Sequence, residues 1–225
     1  MPEVWKHVTV LLVDVQCGNT EDVTGDDEIF VVGGGGTGPL SGKESTAILT
    51  NVIAINDGMV KQFPKGESIV FDGDVRTDDI VEVALQVYDE DFSTAKDVDE
   101  KYQALLTAVS AAVGAAVSSV ATPAVGGIAS GIFGAASAAL LKVVDTIDKD
   151  DLIGTVQKRI EVKDLKDGRD GPHPWHFTNK KPNVSEGIPP SKKFGKAESA
   201  DLGFSDWDYT LHYVIDVSPA QKPHS

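Results

Sequence analysis

The chain has 225 residues, enough for one large or two small domains with a buried core, and its 20 Lys and Arg stand against 35 Asp and Glu for a formal charge of -15. That balance excludes nucleic acid as a partner, because phosphate binding needs clustered Lys and Arg that release counterions. It also opposes direct adhesion to anionic lipid unless something reverses the local sign. Cys17 is the sole cysteine, so no internal disulfide forms and the chain is not a stapled scaffold.

In chain order, Lys6 to Gln16 (KHVTVLLVDVQ) is rich in β-branched residues and too short for most helices, which predicts a buried strand. Around it there is no small-residue cleavage pattern. The expectation is cytoplasmic synthesis, with non-classical export or membrane association open. An acidic turn region, CGNTEDVTGDDE, leads to a strand at Glu28 to Val32. The run from Gly33 to Ser45 resembles a phosphate loop only superficially: Glu44 follows Gly42-Lys43 where Ser or Thr is needed, and Pro39 leaves no helix start behind Gly33, Gly35 and Gly38. Its turn chemistry predicts a flexible hairpin loop. Strand signals follow at Ala47 to Asn56, Ser68 to Phe71 and Ile80 to Tyr88, separated by Gly, Asp and Pro.

From Tyr102 to Leu141 the chain carries no charge and is built from Ala, Gly and Val. Thr122-Pro123 divides it into two arms of about 20 residues, each as long as one hydrocarbon core if helical. Ala108, Ala112 and Ala116 recur every fourth residue, as do Gly127, Gly131, Ala135 and Ala139, a spacing that lets helix backbones approach closely. Such a hairpin has three uses: packing on the body of the protein, insertion into a bilayer, or assembly of a homo-oligomer. Strand character returns at Leu152 to Val162. The stretch from Asp164 to Lys196, rich in Pro, Gly and Lys, reads as a long loop, and Trp207 to Val217 alternates as a final strand.

Carboxylates stand at three sites that a sandwich can bring to one end: Glu21, Asp22, Asp26 and Asp27; Asp89 and Asp91; and Asp150 and Asp151. Alternation points Asp89 and Asp91 the same way, and calcium takes six to eight oxygens from converging loops. The alternative is solvated loop acids in an acidic protein. TGDDEIFVV, and YDED followed later by DDLIG, resemble the second-strand aspartate and the third calcium loop of C2 domains. That resemblance implies calcium as the cofactor and Asp27, Asp89, Asp91 and Asp151 as ligands, with Asp22 or Glu21 from the first loop. It departs from the family where Glu28 and Ile29 replace a proline and an aromatic, and where the third loop is far longer.

The predicted fold is mainly β, an antiparallel C2-like β-sandwich with a long α-helical hairpin inserted in a calcium loop. Its expected bounds are 1–217 for one sandwich domain, 97–147 for the hairpin and 218–225 for a flexible tail. No catalytic residues emerge: His173 and His176 lack an acidic partner pattern, and HExxH and GxSxG are missing. The expected function is a calcium-binding, non-enzymatic module whose hairpin engages a phospholipid membrane or an oligomer. The alternative is a soluble, calcium-stabilised structural or protein-interaction module with the hairpin packed in its core.

Overall fold

The computed structural model describes residues 3–20, 26–38, 40–41, 44–89, 107, 111, 151–178 and 207–221. They form the strands β1 (Trp5–Asn19), β2 (Asp27–Thr37), β3 (Ser45–Leu49), β4 (Ile53–Ile55), β5 (Val60–Gln62), β6 (Ile69–Arg76), β7 (Ile80–Asp89), β8 (Asp151–Glu161), β9 (Gly168–Thr178) and β10 (Asp208–Ala220), with a single 3-10 turn at Val162–Asp164. Two sheets result. The first runs β5-β1-β10-β9 with β6 also on β1, and the second runs β3-β2-β7-β8 with β4 also on β2. Every ladder is antiparallel.

Alternation explains the packing. Val8, Val10, Val15 and Cys17 of β1 and Leu211, Tyr213, Ile215 and Val217 of β10 face Val31 of β2 and Val81, Val83, Leu85 and Val87 of β7 across one core. Each such Val, Leu or Ile stabilises the fold by about 1.5–3 kcal/mol. At Gly154 of β8 the Phe177 ring of β9 occupies the space a Cβ would need, so the two sheets approach closely there.

Three expectations are corrected. The glycine run is not a flexible loop: Gly33 to Gly36 belong to β2, paired with β3 on one side and β7 on the other. Glycine is required by contact, since a Cβ at Gly33 would strike the Ala84 carbonyl and one at Gly35 would lie 2.8 Å from Phe71 Cβ of the opposite sheet. The Pro- and Gly-rich stretch after Asp164 contains β9, an edge strand, where proline is tolerated because one side of the strand has no ladder to supply. The single strand expected at Ala47 to Asn56 is two, β3 and β4, which pair with successive parts of β2.

The fold class is corrected as well. The described residues make a β-sandwich without a long α-helical hairpin, and none of their helices is long and apolar enough to cross a membrane. Of the span 97–147, all but Thr107 and Ala111 lies outside the described residues, and these two define no helical element. The expectation of a hairpin rested on the uncharged composition, the length of the two arms and the small-residue spacing, none of which specifies what the stretch packs against.

The middle of the second sheet, at β2 and β7, is buried on both faces. On the side away from the core, Phe30 and Val32 of β2, Ala84, Gln86 and Tyr88 of β7 and Leu152 of β8 are all buried, and Phe30 stacks on Tyr88 at 5.4 Å. Glu82 shares this face. Its Oε1 has no hydrogen-bond partner, and burial pushes its carboxyl up to about 7, with the Arg159 charge opposing and the Asp79 charge adding. Between its ordinary value near 4.5 and about 7, the folded state holds a proton that the unfolded state has released, so stability falls as pH rises through that window. Glu82→Gln is expected to raise stability by roughly 2 kcal/mol at pH 8 and to change it little at pH 4.5, as read by urea denaturation at both pH values. Equal effects at the two pH values would contradict this.

Candidate functional site

One end of the sandwich gathers acid. In the register of the second sheet, Ile29 of β2 lies opposite Asp89 of β7, and Asp89 lies opposite Asp151 of β8. Asp27 precedes Ile29 by one pleat on β2 and pairs with Ile55 of β4. Asp27 and Asp89 share the parity of Ile29 and Val87, so both carboxyls turn into the mouth between the sheets and are buried there. Asp89 Oδ1 accepts the Glu28 amide at 2.9 Å. Asp27 Oδ2 accepts the hydroxyl of Tyr209 on β10, a bond joining the two sheets.

The electrostatics follow from this crowding. Burial is the main cause raising the Tyr209 pKa, followed by the bond to Asp27 and the charges of Asp27 and Asp89, so the phenol stays a donor. Cys17, next to Tyr209 in the β1–β10 register, has its thiol pushed up to about 12, first by burial and then by the Asp27 charge. That removes it as a nucleophile. Asp57, in the turn after β4, accepts from the Thr20 amide at 2.7 Å and the Thr20 hydroxyl at 2.9 Å, while Asn56 donates to Asp26 at 2.9 Å. Tyr209 and Asp57 carry no site motif in the sequence. The inward phase of Tyr209 in the alternating Trp207 to Val217 strand was the available signal.

Of the expected ligands, Asp27 and Asp89 are brought together, and the Asp151 backbone is placed beside Asp89. Glu21, Asp22 and Asp91 lie outside the described residues. Among the described residues no three His, Cys, Asp or Glu side chains are grouped so as to hold a metal. Asp27 and Asp89 together carry fewer carboxylate oxygens than the six to eight that calcium takes. A complete site therefore requires the Asp151 carboxyl and loop acids such as Glu21, Asp22 and Asp91. The donors are all hard oxygens, which suits calcium and not zinc.

The outer face of the first sheet carries histidines beside aspartates. His7 lies 2.8 Å from Asp74 and 3.1 Å from Asp72, His212 lies 2.6 Å from Asp14, and His176 lies 3.0 Å from Thr210. The bond to Asp74 raises the His7 pKa despite burial. Trp175, set between His173 and His176 in sequence, turns inward and stacks on Tyr213 at 3.8 Å.

No family model and no curated protein matches the chain. Among solved structures, a C2 domain is similar at 14% identity over 95% of this chain and 98% of that one, with a TM-score of 0.31. A C2 domain of a plant Extended Synaptotagmin 1 is similar at 10% identity over 98% of both chains, with a TM-score of 0.34. These values do not decide kinship, and the sandwich stands on its own ladders.

Tyr209→Phe takes one donor from the buried Asp27 carboxylate and is expected to cost about 2 kcal/mol in urea denaturation near neutral pH. A cost below roughly 0.5 kcal/mol would mean that the bond between the sheets contributes nothing net.

Proposed function

We propose that the chain is a calcium-dependent, non-enzymatic binding module of the C2 type, which meets an anionic phospholipid surface with the end of the sandwich bearing Asp27, Asp89 and Asp151. The observation that supports it most is the register: residues 62 positions apart in sequence, Asp89 and Asp151, are cross-strand partners, one pleat from buried Asp27. Buried carboxylates need pairing, protonation or a cation, and several at one mouth favour a cation.

Charge sets the mechanism. At a net charge of -15 the protein is repelled by anionic headgroups, so attachment requires a divalent ion that neutralises the acidic end and bridges to phosphate. Calcium supplies that charge when bound. The residues of the chain supply its oxygen donors, and the bonds from Tyr209 and the Glu28 amide fix the carboxylates in place. The membrane-inserting hairpin forms no part of this reading.

Millimolar calcium is expected to raise Tm by about 5 °C or more over the value in EDTA, by mass action on the folded state. Asp89→Asn, which keeps an acceptor for the Glu28 amide, is expected to lose most of that rise. With phosphatidylserine vesicles, the protein is expected to float only when calcium is present. Superimposable melting curves would remove the metal, while a shift without flotation would leave a soluble module whose loops the metal clamps.

A further inference from the structure

We infer that His7 is a doubly protonated latch between β1 and β6, and that it makes the hold of the first sheet on its edge strand β6 dependent on pH. This depends on neither calcium nor lipid. The register builds the latch: His7 lies opposite Asp74 and Thr9 opposite Asp72, so the period of two sets all four side chains on the outer face. The His7 ring spans the two acids, with Nδ1 2.8 Å from Asp74 Oδ1 and Nε2 3.1 Å from Asp72 Oδ1. A carboxylate only accepts hydrogen bonds, so each contact needs an N–H, and imidazole carries two only as the cation. A neutral ring would turn a lone pair towards one of the carboxylates. The Thr9 hydroxyl donates to Asp72 Oδ1 at 2.7 Å and holds that acid within reach of Nε2.

The surroundings leave these two aspartates in control of the proton. On β10, His7 faces Ser218, and the carboxylate of the next outward position, Asp216 opposite Thr9, is taken by Arg169 of β9 at 2.6 and 2.8 Å. On β6, Arg76 lies one pleat beyond Asp74 and is engaged by Asp78 and Glu3. Lys6, next to His7 on β1, turns to the other face and is held by the Leu165 carbonyl and Asp167. Among the described residues β6 has one ladder, to β1, and its Asp72 amide donates to the Thr46 hydroxyl of β3 at 3.2 Å, so β6 also ties the first sheet to the second. The bond to Asp74 is the main cause raising the His7 pKa, with burial opposing and the Asp72 charge adding. A histidine raised on folding stabilises the fold below its unfolded value and loses that contribution as pH rises through the folded one. The latch is therefore shut in mild acid and opens as the medium turns alkaline. His7 is half-buried and Asp72 exposed, so the contribution is that of a surface ion pair and acts on β6 rather than on the whole fold.

The test follows the His7 ring and the β6 amides of the full chain by NMR from about pH 5 to about pH 9, in a Glu82→Gln background so that the Glu82 titration does not contribute. The His7 midpoint is expected to lie above that of histidine in the urea-unfolded chain and to fall when Asp74→Asn is added. Protection factors of the β6 amides against hydrogen exchange are expected to drop about two- to fivefold as pH passes the midpoint, while those of Val81, Val83 and Leu85 in β7 stay level. His7→Gln, neutral at every pH, is expected to abolish the step. A midpoint equal to that of the unfolded chain would overturn the latch. A raised midpoint without a step on β6, or a step that persists in His7→Gln, would overturn its control of the strand.

Discussion

A carboxylate on β2 and a phenol on β10, 182 residues apart, meet where the two sheets of this sandwich come together at one end. A buried hydrogen bond to a charged group contributes more than most and is costly to break, so the Asp27–Tyr209 bond fixes the separation of the sheets there. It also fixes the direction of the acidic mouth. Asp89 is held to the Glu28 amide one strand away, so both carboxylates enter any ligand with their positions already set.

Burial differs between the two sheets. The first is an ordinary half-covered sheet, with an apolar face inward and His, Asp and Thr outward. In the second, β7 at the centre is buried along nearly its whole length, including Glu82 and Gln86, for which burial carries a cost. The strand with two buried faces is also the one that ends in Asp89. The acidic end and the buried outward side chains of the second sheet thus share one element.

Much of this was legible in the sequence. β1, β7, β8 and β10 have β-branched and aromatic residues at period two, and the structure places each within a few residues of its expected range. What escaped was decided by contacts distant in sequence. Gly33 to Gly36 read as a loop because glycine weakens an isolated strand, yet the approach of Ala84 and Phe71 leaves no room for a side chain there. Pro172 and Pro174 read as loop residues because nothing local marks β9 as an edge. The acids at 27, 89 and 151 were found by motif, whereas Tyr209, which holds Asp27, comes from the far end of the chain. The helical hairpin rested on composition and spacing, which do not specify what an apolar stretch packs against.

The claim that a cation joins these acids is tested most directly by anomalous diffraction from crystals of the full chain grown with calcium. The account predicts a calcium peak at the mouth between the sheets, about 2.4 Å from carboxylate oxygens of Asp27, Asp89 and Asp151. A well-ordered mouth with no peak would contradict it.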